Sequence, residues 1–267
     1  MNVLVPTTST LGVALLARIE DAGINASAPR EQRWVDGWLV RLAPGKAKRA
    51  RCIQAVAPGR LGIDEKLALC LPLFAAAGLR PYVRITPFSE PQGLDGHLAA
   101  LGMERIDDTR VMAISSLDRF ALSCATASPA PARIERVGPS EFAEWVGTAR
   151  GSSLAERNAH VERIAQAAVP HWAVLARDES GALVAGGQVA IEGRVAGLYD
   201  VFTVESQRGR GHAEHLCRHL LGVAASAGAR VGYLQVDALN ETALRIYRRL
   251  GFVDGYSYHY RAPGSAP

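Results

Sequence analysis

The sequence predicts a mixed α/β protein in which one plan of strands and helices is laid down twice. Three observations point there. Runs rich in β-formers alternate with apolar positions stepping by three and four, which is a helical face. The segment Ser123 to Arg133 is built of small residues and two prolines without periodicity, and it divides the 267 residues into halves of similar size. Shifting the sequence by 149 residues, without a gap, places Gly62 on Gly211, Leu67 on Leu216, Leu71 on Leu220, and Leu101-Gly102 on Leu250-Gly251.

The elements follow in order. The first half reads as a helix over Thr10 to Ala22, strands at Gly37 to Leu42 and Arg51 to Ala57, and a helix at Asp64 to Ala77. A strand at Pro81 to Ile85, a helix at Gly93 to Leu101 and a strand at Glu104 to Ile114 complete it. The second half opens with a strand near Ala132 to Val137 and one or two helices over Ser140 to Ala168, with Pro139 just before the start. Strands follow at His171 to Asp178, Ala182 to Ile191 and Val195 to Thr203, then a glycine turn and a helix to Ala227. The chain finishes with a strand at Val231 to Val236, a helix at Asn240 to Leu250 and a strand at Phe252 to Tyr260. The expected division is residues 1–125, a linker at 126–132, and residues 133–262.

Composition narrows the function. Hydrophobic content of 48% and charged content of 21% suit a chain with a sizeable core. The net charge of +4 comes with no basic block interleaved with aromatics, so no nucleic-acid partner is expected. Cys52, Cys70, Cys124 and Cys217 show no CxxC spacing, and neither a metal site nor a disulfide framework is expected. Cys70 and Cys217 fall on apolar helical faces and read as buried hydrophobes. Arg18, Glu20 and Asp21 interrupt the apolar N-terminus, which is read as neither a signal peptide nor a membrane span. The expectation is a cytoplasmic protein, monomer or homodimer, away from membranes.

The chemistry concentrates at Gln207-Arg208-Gly209-Arg210-Gly211-His212-Ala213, between a strand and a helix. A glycine turn there exposes backbone amides at the positive end of a helix dipole, which makes an anion site. Further on, Asn240 and Tyr247 are seven apart on one predicted helix and so face one side. Asn240 also reads as a helix N-cap.

These residues resemble the GNAT superfamily of acetyl-CoA-dependent N-acetyltransferases. Arg208, Gly211 and Ala213 match its Arg/Gln-x-x-Gly-x-Gly/Ala signature. Asn240, Ala243, Tyr247, Gly251 and Phe252 fill every place of Asn-x-x-Ala-x-x-x-Tyr-x-x-x-Gly-Phe. The resemblance covers about Arg133 to Arg261. The first half, with Gly37-Trp-Leu-Val-Arg41, resembles the degenerate GNAT-like domain that precedes some members. The fold implied is two GNAT-like units, each a mostly antiparallel mixed sheet with a parallel βαβ centre flanked by helices.

The resemblance also implies roles. Acetyl-CoA is the cosubstrate, its pyrophosphate held by the segment Arg208, Gly209, Arg210, Gly211, His212 and Ala213. Its pantetheine arm pairs with the backbone of Val201, Phe202 and Thr203 and meets Asn240. Tyr247 is the general acid that protonates the departing thiolate. The acceptor is a small-molecule or peptide amine attacking directly. Asp200, Glu205 and Asp237 are candidates for its base; regular alternation turns Asp200 away from the face of Val201 and Thr203 unless a bulge intervenes. The early helices, with Trp145, Glu156, Arg157 and Glu162, are expected to line the acceptor pocket.

The repeat predicts a single active site. At the same shift Asp64 stands for Ala213, Pro91 for Asn240 and Leu98 for Tyr247. A carboxylate in that first turn repels pyrophosphate, and leucine gives no proton. A non-catalytic acyl-CoA-binding or regulatory module is the other reading of the same motifs. A dinucleotide turn is disfavoured, because Glu214 stands where the last glycine of GxGxxG belongs.

Overall fold

The structure, a computed structural model, describes residues 11–121 and 132–264. Residues 126–131 of the expected linker, and Cys124, lie outside them. The first half contains α1 (Val13–Ala26), β1 (Gln32–Val35), β2 (Trp38–Arg41), β3 (Ile53–Ala55), α2 (Ile63–Ala76), β4 (Val83–Ile85), α3 (Leu94–Ala100), β5 (Glu104–Ile114) and α4 (Asp118–Ala121). The second contains β6 (Arg133–Val137), α5 (Pro139–Ala149), α6 (Leu154–Ala165), β7 (His171–Arg177), β8 (Leu183–Glu192) and β9 (Val195–Thr203). It continues with α7 (His212–Ser226), β10 (Val231–Asp237), α8 (Glu241–Arg249) and β11 (Val253–Ala262).

The eleven strands of the described residues form one sheet, in the order β1-β2-β3-β4-β11-β5-β10-β9-β8-β7-β6. The parallel pairs are β3 with β4 and β9 with β10, and each pair is bridged by its own helix, α2 or α7. The mixed α/β architecture with a parallel βαβ centre in each half is therefore present. The repeat is visible in the elements: shifted by 149, α2 falls on 212–225, where α7 stands, and β5 on 253–263, where β11 stands.

The last strand of each half is exchanged. β11 lies between β4 and β5 of the first half, while β5 lies between β11 and β10 of the second. Leu117 and Phe120 then follow β5 into the core of the second half, where they pack with Leu221 and Leu234. Leu216, Cys217, Leu220 and Leu221 bury one face of α7 on that core, each at 0% exposure. Truncating one such leucine to alanine costs about 3 kcal/mol. Cys70 is likewise buried, on the inner face of α2.

One hairpin escaped the sequence reading. β1 exposes Gln32, Arg33 and Trp34, so it carries no apolar signal. Its turn does carry one, because Asp36 and Gly37 both take positive φ, 42° and 85°, and Asp-Gly is the pair a two-residue hairpin turn favours.

Candidate active site

The parallel pairing of β9 and β10 runs from Val195/Val231 only to Leu198/Leu234. Beyond that point β9 continues to Thr203 and β10 to Asp237 without pairing to each other. The parting opens a cleft of about 430 Å³. Its walls come from both halves: Leu198 to Val201 of β9, Asn240 and Tyr247 by α8, His160 and Arg163 of α6, and the basic segment 45–50.

Val201, Phe202 and Thr203 lie on the stretch of β9 that has left β10. On the other side they remain tied to β8, with Phe202 opposite Gly186 and Thr203 opposite Ala185. Of the three, Val201 lines the cleft, while Phe202 packs against the Phe142 and Leu175 cluster.

A short 3-10 turn, Glu205–Gln207, leads from β9 into the glycine turn. Gly209 and Gly211 take φ of 80° and 83°, and Gly211 is the N-cap of α7. A Cβ at either would meet nothing within 4 Å, so glycine is demanded by the backbone and the turn faces open space. Arg208 and Arg210 are exposed, whereas the His212 side chain is buried, leaving its backbone to the turn. Ala213 adds only a methyl group at the first turn of α7, whose leading amides have no intrahelical acceptors.

Asn240 caps α8, its Oδ1 accepting the Ala243 amide at 3.1 Å. Its amide nitrogen remains available at the cleft. Tyr247, two turns on, stacks edge-on against Phe252 with centroids 6.1 Å apart and is half-buried. Among the described residues its hydroxyl has no hydrogen-bond partner, and it lines the cleft. Burial, with a smaller contribution from Cys217, raises its pKa above that of a free phenol, so it stays protonated.

Asp200 sits on the bulge that regular alternation lacked. Gly186 faces Phe202 but Gln188 faces Tyr199, so Asp200 and Val201 together oppose Gly187, and Asp200 takes a φ of 53°. The bulge turns its carboxylate into the cleft, where it accepts Arg150 at 2.6 Å and Gln188 at 2.7 Å, with His160 Nε2 at 3.2 Å. Burial raises its pKa, but Arg150 and His160 outweigh burial and hold the carboxyl well below the usual range. So firmly ionised a group is a weak proton acceptor. Asp237 also reaches the cleft, its Oδ1 accepting the Leu239 amide at 2.8 Å, whereas Glu205 is exposed beside Arg208. Of the early-helix residues, Glu156 and Arg157 line the cleft. Trp145 instead stacks under Arg177, and Glu162 pairs with Arg30 at 3.1 Å.

The equivalent turn of the first half is already filled. The amides of Arg60 and Leu61 donate to the Asp36 carboxylate at 2.8 and 2.7 Å, and Gly62 donates to Glu65 at 2.8 Å. Asp64, the residue expected to repel a ligand there, instead meets His97 at 2.7 Å. The side chain that occupies the anion cradle comes from the β1–β2 turn.

Residues 14–261 match the family model described as probable histone acetyltransferase Rv0428c, C-terminal. The chain belongs to that family. It is an N-acetyltransferase of the GNAT type. It is 28% identical over 231 residues to the uncharacterized N-acetyltransferase YobR of Bacillus subtilis (strain 168), covering 86% of this chain and 91% of that protein. Among solved structures, a GCN5-related N-acetyltransferase from Kribbella flavida superposes with a TM-score of 0.66 at 23% identity, over 96% of this chain and 98% of that one. A tandem GNAT protein from the clavulanic acid biosynthesis pathway gives 0.56 at 17% identity, over 81% and 76%. Both share the fold of this acetyltransferase.

Sequence reading missed Arg49, Arg163 and His160 of the cleft, and Asp36 of the filled cradle. The run Gly45-Lys-Ala-Lys-Arg-Ala-Arg51 was a visible signal for the first. Nothing in the sequence brings Asp36 to Leu61.

Proposed function

We propose that the chain transfers the acetyl group of acetyl-CoA to the amine of an acceptor by direct attack, at one site between β9, β10, α7 and α8. The observation that carries this reading is the Tyr247 hydroxyl, protonated and without a partner among the described residues, at the cleft where β9 and β10 part. A structural tyrosine would have its hydroxyl satisfied. The open glycine turn fits a pyrophosphate, since its backbone faces free space at the positive end of α7. The unpaired edge of β9 at Val201 to Thr203 fits an extended amide arm, and the Asn240 side chain fits a contact to it.

Acetyl-CoA supplies the activated carbonyl and a thiolate leaving group. The amine nitrogen forms the new C–N bond as the C–S bond breaks, Tyr247 gives its proton to the departing sulfur, and the proton shed by the nitrogen passes to water, which restores the proton of the tyrosine. The rest of the acceleration comes from holding amine and carbonyl together. Asp200, locked by Arg150 and His160, acts as a fixed anion in the wall rather than as the base. The experiment is thiol release from acetyl-CoA against a panel of amines. Binding of acetyl-CoA with no thiol release for any amine would overturn transfer.

A further inference from the structure

We infer that the amine acceptor also carries a carboxylate, held by Arg163 and Arg49 on the inner wall of the cleft; the inference rests on the acetyl-transfer reading. The charges lining the cleft pair off unevenly. Lys48 is matched by Asp107, Lys46 by Glu156 at 3.8 Å, Arg150 by Asp200 at 2.6 Å, and Arg157 by Glu144. Arg163 and Arg49 are left over, since neither has a carboxylate within salt-bridge distance among the described residues; Asp237, the remaining carboxylate of the lining, is turned to the Leu239 amide instead.

Arg163 is half-buried on α6 and makes no hydrogen bond to any described residue. Arg49 touches only neutral groups: Gln235 Oε1 at 2.6 Å, the Tyr258 hydroxyl at 3.4 Å and the Tyr199 ring at 5.5 Å. Its Nε is buried with no partner. Taking guanidinium groups out of water without an anion is unfavourable, so a site built with two of them is made for one. Asp200 attracts Arg163 from beyond salt-bridge distance, but its oxygens are already taken by Arg150, Gln188 and His160.

The anion is on the acceptor and not on CoA. The phosphate cradle at Gly209 to Ala213 follows β9, and none of those residues lines this cleft. Arg49 instead stacks on Tyr199, ahead of the bulge, and Arg163 lines the same cleft. A planar carboxylate suits the guanidinium fork. Lysine-rich peptides, the acceptors named for the matched family as histones, bring the wrong charge to this wall. The inference also gives the first half a task, because Arg49 comes from its segment between β2 and β3.

The test uses the full chain with acetyl-CoA and matched amines: L-phenylalanine with phenethylamine, 4-aminobutyrate with butylamine, and a lysine-rich peptide. The wild type is expected to favour the carboxylated member of a pair by about ten-fold or more in kcat/KM, the size of a charged hydrogen-bond pair. Arg163→Gln and Arg49→Gln are expected to collapse that ratio while melting near the wild type and keeping the KM for acetyl-CoA. Equal or better use of the decarboxylated amine or of the peptide overturns the carboxylate and leaves acetyl transfer standing. A rise in the KM for acetyl-CoA, with the ratio intact, overturns it by placing the arginines on CoA. Thiol release from none of the amines overturns both readings together.

Discussion

The carboxylate of Asp36 accepts the backbone amide of Leu61 at 2.7 Å, and with it the amide of Arg60. A side chain thus stands in the first half where the turn before α7 is open. Asp36 also meets the buried Lys66 ammonium at 3.3 Å, so the plug is fixed from two sides.

The first prediction follows from that plug. Calorimetry should find one acetyl-CoA per chain; two equivalent sites would remove the single-site reading. Asp36→Ala should lower the melting temperature, because it strands both amides and the Lys66 charge. The Leu61 amide, then the Arg60 amide and Lys66, hold the Asp36 carboxyl below its ordinary 3.8. Its contribution is therefore present above pH 3.8 and lost as pH falls through the lower folded value. Wild type and Asp36→Ala should converge in stability in that acid window.

Tyr247→Phe should lower kcat by about 10²-fold, the lower range for a positioned proton donor, with the KM for acetyl-CoA nearly unchanged. Folding should hardly notice, since the hydroxyl bonds to no described residue and Phe keeps the stack on Phe252. Burial raises the Tyr247 pKa, so its proton stays on into alkali and kcat should not fall below about pH 10 through this group. Steady-state kinetics across pH checks both parts, and an unchanged kcat takes Tyr247 out of the reaction.

How much of this was legible in the sequence depends on the range of the interaction. The glycine turn, α7 and the spacing of Asn240 and Tyr247 are local patterns, and each lies where its periodicity puts it. The β-formers put β5 at Glu104 to Ile114 and β9 at Val195 to Thr203, and both spans are the ones observed. The exchange of β5 and β11 was not legible, since two strands of the same pattern leave no mark of which neighbour each takes. The Asp200 bulge is not fixed by the sequence, because one extra residue in a register is invisible without the partner strand. Arg49 meets Gln235 from 186 residues away in the chain, a distance no spacing argument spans.

Gly211→Ala should weaken acetyl-CoA more than it weakens the fold. At φ 83° an L-residue is strained by about 1–2 kcal/mol, although no atom lies near enough to clash. The backbone relieves that strain by turning its amides away from the cradle. The expected result is a several-fold rise in the KM for acetyl-CoA, with kcat and acceptor preference kept. Loss of kcat with KM unchanged would mean that the turn serves the chemical step instead.

Asp95 ties the exchanged strand to the first half. From α3 it accepts Arg261 Nε at 2.7 Å and His259 Nε2 at 2.8 Å, both on β11. Arg261 and His259 are buried or nearly so, at 14% and 0% side-chain exposure. Removing their carboxylate in Asp95→Ala leaves both without it, at a cost of about 2 kcal/mol or more. Burial raises the Asp95 pKa, but Arg261 and His259 outweigh it and hold the carboxyl below 3.8. That stabilisation is complete above 3.8 and drains away as pH falls through the folded value. Chemical denaturation at neutral pH should show the full deficit of the variant, and denaturation below pH 3.8 should show it shrinking. A deficit that stays constant into acid would mean that Asp95 acts by shape and not by charge.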